Sequence, residues 1–199
     1  DRAYEIFKKN ILIWHDEYLK NGLDAIISNT SGCGTTLKDY GFIFRSNNDL
    51  KKKAKKISEL TKDITEYLDE NVKLNFIKNG ENKYRIAYHS PCSMQHGQKV
   101  HQTPMDLIKK TGNQVFEIPD GHLCCGSAGT YNLLQNDIAN KLLKNKISNI
   151  NKINPQFIST GNIGCITQIS NGTKIPILHT VEIIDWYTGG PKPTVLEKL

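Results

Sequence analysis

No stretch of this chain stays apolar for the roughly 18 to 20 residues that a helix needs to cross a bilayer. The opening DRAYEIFKKNILIW also lacks the basic, apolar, small-residue order of a secretory leader. No transmembrane segment is expected, and the location expected is cytoplasmic. Arginine is scarce, with Arg2, Arg45 and Arg85 standing among 26 cationic side chains that are otherwise lysine. Base readout favours the arginine fork, and single-strand binders interleave aromatics with their charges. The run Lys51-Lys52-Lys53-Ala54-Lys55-Lys56 carries no aromatic, so nucleic acid is not expected as a partner. The net charge of +6 reads as a solvated helix face, or as a basic surface for an acidic partner or anionic lipid headgroups.

Cysteine occurs five times, an odd number, with no CxxC pair and no sign of a secreted disulfide framework. Metal binding, catalysis and inert burial remain open, and spacing has to choose among them.

With 199 residues and 38% hydrophobic side chains, the chain can bury one sizeable core or two small ones. Ala3, Ile6, Phe7, Ile11, Trp14 and Tyr18 recur at helical spacing, and Asn21-Gly22 supplies a stop. The chain opens at Asp1 inside this helical pattern, so an upstream portion is expected. A short strand over residues 24–28 leads into a turn holding Cys33. After a loop, Ile57, Leu60, Ile64 and Leu68 predict one helix from Asp49 to about Asn71. The polar stretch Lys78 to Lys83 reads as a boundary. Beyond it, YRIAY, QVFEI, FIST and IPIL are short apolar strands. Helical patterns from Thr103 to Gly112, Tyr131 to Ile150 and Thr180 to Tyr187 separate or follow them. Such alternation predicts an α/β fold with mostly parallel sheets flanked by helices. Ligands in these sheets sit beyond the strand carboxyl ends, where Cys92, Cys124 and Cys165 follow YRIAY, QVFEI and FIST.

There is also an internal echo: IISNTSGCGTTLKDYG around Cys33 is similar to FISTGNIGCITQIS around Cys165. Two tandem units are expected, the first truncated over residues 1–80 and the second complete over residues 81–199. Cys33 then becomes a leftover ligand without a site.

Within the second unit, Cys92, the vicinal pair Cys124-Cys125 with Gly126, and Cys165 form a four-thiol set. Soft sulfur ligands suit zinc or an iron-sulfur cluster. Neighbouring side chains on an extended chain point to opposite faces. Adjacent cysteines therefore reach a large object with separated corners more readily than a single ion, which favours iron. Gly126, Ser127, Ala128 and Gly129 are small enough to let backbone N–H groups approach the sulfurs. The bland alternative is a set of inert buried thiols beside Gly-rich turns. His89 in His-Ser-Pro-Cys and His122 before Cys124 are candidate ligands, hydrogen-bond donors or plain pocket walls. His96 and His179 read as helix-start or interface groups, and His15 and His101 as surface groups. A Cys92/His89 nucleophile pair lacks a recognisable orienting partner.

At these residues the sequence resembles the CCG or cysteine-rich domain family, which is found in heterodisulfide reductases and in glycolate oxidase (glycolate dehydrogenase) iron-sulfur subunits. The strings SGCGTTLKDYG, YHSPCSMQHGQ, LCCGSAGTYNLLQ, GNIGCITQI and HTVEIIDWYTGGPKP carry the resemblance. It implies metal-ligand roles for Cys92, Cys124, Cys125 and Cys165, holding an iron-sulfur cluster, [4Fe-4S] of cubane or noncubane type, with zinc as the alternative. The two CxxCxxCxxxCP runs of that family's ferredoxin-like module are missing here. The role implied is an electron-transfer part of an oxidoreductase, not catalytic alone. It would take electrons from flavin-containing glycolate oxidase subunits that oxidise glycolate to glyoxylate. Those electrons would pass toward a quinone or membrane acceptor, with a peripheral seat at the inner face of the cell membrane. The other function class is a zinc-stabilised structural or interaction module without a redox role.

Overall fold

The computed structural model describes residues 2–77 and 83–197. The boundary expected at Lys78 to Lys83 falls, apart from Lys83, outside the described residues.

The first helix, α1 (Arg2–Asn21), stops where Gly22 takes a positive φ of 76°, a conformation open to glycine at little steric cost. Its buried Ile11 joins Tyr40, Phe44, Leu50, Ala54 and Ile57 in a core against which Tyr4, Phe7 and Trp14 pack. Strand β1 (Ile26–Ser28) pairs in parallel with β2 (Thr61–Asp63). Between them run α2 (Ser31–Lys38), α3 (Tyr40–Ile43) and α4 (Lys51–Leu60). Cys33 therefore sits in the first turn of a helix rather than in a loop.

The single helix predicted from Asp49 to Asn71 is two helices, α4 and α5 (Ile64–Asn71), with β2 between them. The cause lies at Asp63. Its carboxylate accepts from Thr65 N at 2.9 Å while Glu66 accepts from Asp63 N at 2.8 Å, a capping box that restarts the helix. Ile57, Leu60, Ile64 and Leu68 keep a helical interval across the break, so periodicity alone could not reveal it.

The second sheet contains β3 (Arg85–His89), β4 (Gln114–Glu117), β5 (Phe157–Thr160) and β6 (Ile177–His179) in the order β4-β3-β5-β6. Every described pairing in both sheets is parallel. A π-helix (Ser93–Gln98) and α6 (Gln102–Lys110) link β3 to β4. The short α7 (Tyr131–Leu134) and long α8 (Asn136–Ile153) lead to β5, while α9 (Ile163–Ser170) and α10 (Thr180–Tyr187) flank β6. Alternation along the strands sorts the core into two faces. Ile86, Tyr88 and Phe157 meet Met105, Ile108, Ile183 and Trp186 on one side. Ala87 and Ile158 meet Ile150, Ile169, Cys125 and Cys165 on the other. The chain leaves β3 toward β4 and then crosses back to β5. The strand order thus reverses between β3 and β5, the switch point at which open α/β sheets form crevices.

A helix, a strand, a Gly-Cys helix, a parallel strand and a capped helix occur in that order in both halves, with α3 and α4 added before β2 in the first. His179 and Glu182 repeat at α10 the capping box of Asp63 and Glu66, with Glu182 accepting from His179 N at 2.7 Å. Among the described residues no helix is long and apolar enough to cross a membrane.

Candidate metal centre

Each cysteine of the second half arrives from the carboxyl end of a strand. Cys92 follows β3 through Ser90-Pro91 and forms the N-cap of the π-helix. Cys124 and Cys125 stand in the loop after β4. Cys165 is the third residue of α9, whose start is set by Asn162: its Oδ1 accepts from Gly164 N at 2.8 Å and Cys165 N at 3.2 Å. Asn at this position is among the strongest helix starters.

The sulfurs of Cys125 and Cys165 lie 3.3 Å apart. Cys33, Cys92, Cys124, Cys125 and Cys165 all line one cleft of about 370 Å³, together with Ser127 and Gly164. Gly126 donates its N–H to Cys124 Sγ at 3.3 Å, in line with the expectation for the small residues after the vicinal pair. The same glycine has φ of 97°, and a Cβ there would meet the carbonyl oxygen of Ala139 at 2.5 Å. The glycine after the vicinal pair is therefore a backbone requirement of the turn against α8.

His89 follows Ala87 by two residues, so the pleat carries its ring to the face that holds α9. It is buried, at 1% exposure. Its donor atom and the sulfurs of Cys125 and Cys165 lie within 4.8 Å of one another. Neither ring nitrogen makes a hydrogen bond of ordinary length and angle among the described residues, although the ring stands close enough to Cys165 to lower that thiol's pKa, and Ser90 Oγ and Thr160 Oγ1 also lack such a bond. Buried polar atoms without partners are rare and point to a missing ligand, ion or water. His122 is exposed and lies outside the cleft lining. His179 is both helix start and interface: Nδ1 accepts from Val181 N at 3.1 Å, and Nε2 bonds Asn29 O at 2.8 Å. Among the described residues no orienting third group stands beside a Cys92/His89 pair.

The thiols perturb one another strongly. Hydrogen bonds from Cys125 and then Cys92 pull Cys124 down to about 2. A hydrogen bond from Cys125 brings Cys165 down to about 5 against the effect of burial. Cys92 and Cys125 move upward, first through their bonds to Cys124, then through burial for Cys92 and through the bond to Cys165 and burial for Cys125. The four thiols are thus tied by hydrogen bonds, so that the charge on each depends on the protons of its neighbours. Behind them stands Lys146, 1% exposed, donating to the carbonyls of Asp120 at 3.3 Å and Gly121 at 3.5 Å. Burial lowers its pKa, and the negative charge of Cys125, Cys124 and Cys165 raises it. The donor set fits a thiophilic metal or cluster: four soft sulfurs, a buried imidazole beside two of them, and a buried lysine to offset negative charge.

Two features escape a reading of the sequence. Lys146 looks there like one more lysine on a polar helix. Cys33, expected to be stranded, lines the same cleft as the other four thiols. Its only sequence signal is the echo between SGCG and IGC, which speaks of equivalence and not of proximity.

The family model of the CCG cysteine-rich domain matches residues 86–170. The chain is 35% identical over 178 residues to the glycolate oxidase iron-sulfur subunit of Escherichia coli (strain K12), a match covering 89% of this chain and 43% of that protein. It is 24% identical over 168 residues to lactate utilization protein A of Geobacillus sp. (strain WCH70), covering 81% of this chain and 70% of the relative. The chain therefore spans less than half the length of the Escherichia coli subunit. Residues 86–170 are thus similar to the cysteine-rich domain of the CCG family.

Proposed function

We propose that Cys92, Cys124, Cys125 and Cys165 hold an iron-sulfur cluster, and that the chain is an electron-transfer part of an oxidoreductase of the glycolate oxidase type. The observation that carries this reading is the convergence of thiols from three strand ends on one cleft. The 3.3 Å separation of Cys125 and Cys165 and the buried His89 beside them support it. When bound, the cluster would supply a one-electron acceptor and donor. The protein's own part is to fix the sulfurs, donate Gly126 N–H to Cys124, and offset negative charge with Lys146.

The likeness to a glycolate oxidase iron-sulfur subunit supports the rest of the proposal. Electrons come from flavin-containing subunits that oxidise glycolate to glyoxylate and go on to a quinone, with the protein in the cytoplasm and peripheral to the membrane. Residues 1–80 and 81–199 are taken as related units, in keeping with the helix, strand and Gly-Cys helix that recur in both.

A second reading has its own observation. The trio His89, Cys125 and Cys165 is compact enough, within 4.8 Å, to hold a single ion, which favours a zinc-stabilised interaction module. Anaerobic purification with iron, sulfide and zinc analysis and electron paramagnetic resonance separates the two. Iron and sulfide with a signal abolished in Cys124→Ser and Cys165→Ser carry the first reading. Zinc with no iron overturns it.

A further inference from the structure

Cys33 belongs to the amino-terminal half, yet it lies in the wall of the cleft formed by the other half. Its place there is fixed by an interlock of backbone and side chains. Ser31 Oγ meets Ser93 Oγ at 2.7 Å, beside Cys92. Gln98 Nε2 donates to Ser31 O at 2.9 Å, and Thr35 Oγ1 donates to Ser93 O at 3.1 Å. Ser31 N donates to Gly161 O at 3.3 Å, next to the start of α9. A Cβ at Gly34 would sit 2.5 Å from Gln98, and one at Gly97 would sit 2.6 Å from Thr35. Helix α2 and the π-helix are thus packed at glycine distance, and Cys33 rides on that frame two residues from Ser31.

The start of α2 differs from that of α9 in one respect. Asn162 caps the N–H groups of Gly164 and Cys165. Thr30 makes no such bond, and the N–H groups of Gly32 and Cys33 have no hydrogen-bond partner among the described residues. Uncapped first-turn donors favour negative charge. Thr30, Gly32 and Cys33 all border the cleft, and Cys92, Cys124, Cys125 and Cys165 border it too.

Resting on the proposed metal centre, we infer that Cys33 is a fifth thiolate ligand of that centre, donated across the interface by the amino-terminal half. The two equivalent Gly-Cys helices approach one centre from two sides, and the site is incomplete without both.

The test is alkylation of the anaerobically iron- and sulfide-loaded chain with iodoacetamide, mapped by mass spectrometry before and after chelator treatment. Cys33 is an exposed thiol, so its reactivity reports coordination and not burial. Its alkylation rate is expected to fall about tenfold or more on loading, as thiolates engaged with metal lose their nucleophilicity. Cys33→Ala is expected to unfold at the same temperature as the parent without metal, and to change the iron content or the resonance line shape when loaded. Fast alkylation of Cys33 while the other four thiols stay protected overturns this inference and leaves the proposed centre standing. An unchanged signal in Cys33→Ala does the same. Failure of all five thiols to gain protection overturns the centre and this inference with it.

Discussion

Asn162 Nδ2 donates to Ser31 Oγ at 2.7 Å, joining residues 131 positions apart at the point where the two Gly-Cys helices meet. That contact makes the junction between the halves part of the cleft wall. Gly97 belongs to the same junction, where a Cβ would press on the stiff, β-branched Thr35 at 2.6 Å. Gly97→Ala is expected to destabilise the protein by roughly 1 to 3 kcal/mol through overpacking and to loosen α2. Urea denaturation gives the first effect, and faster amide hydrogen exchange along α2 in the metal-free chain gives the second.

Gly126 and Gly129 form a matched pair for a second experiment. Both have positive φ, 97° and 64°, but only at Gly126 would a Cβ strike backbone, the Ala139 carbonyl. Gly129→Ala is expected to cost about 1 kcal/mol from backbone conformation alone. Gly126→Ala adds a clash that rigid backbone cannot relieve, for a total of about 3 kcal/mol or more. Equal losses in the two variants, measured by chemical denaturation, would remove Ala139 from the explanation.

His89 offers a test in which stability and metal retention part company. Leaving a buried polar group unsatisfied costs roughly 1 to 3 kcal/mol, and both ring nitrogens are in that state without a ligand. Metal-free His89→Leu should therefore be no less stable than its parent. Its loaded form should lose metal to a chelator about 10- to 100-fold more readily. A variant that is less stable without metal and holds it normally makes His89 a packing residue.

Lys146 places a cation behind the sulfurs. Reduction adds negative charge to the centre, and a nearby cation stabilises that state. Lys146→Met should lower the reduction potential while preserving iron content. A redox titration followed by electron paramagnetic resonance that finds no downward shift would disconnect the lysine from the site.

Much of the framework can be read along the chain. Residues 157–160 form the strand that FIST implies, Asn21-Gly22 ends α1, and helices follow the strands as the alternation implies. Errors come where two structures share one periodicity. Residues 49–71 keep helical spacing through β2, and the capping bonds of Asp63 that break the helix leave no trace in hydrophobic pattern. The π-helix after Cys92 is likewise invisible, because it follows from close packing of Gly97 and Gln98 against α2.

For the site, residue type and order along the chain were enough to single out four cysteines at strand ends, since strand, turn and soft-ligand preferences are local. Which thiols share a cleft was another matter. The place of Cys33 depends on bonds such as Ser31 to Ser93 and Asn162 to Ser31, and the ring of His89 finds Cys165 only because β3 and β5 are neighbours. These are relations between segments distant along the chain, so folding in three dimensions alone could bring them about.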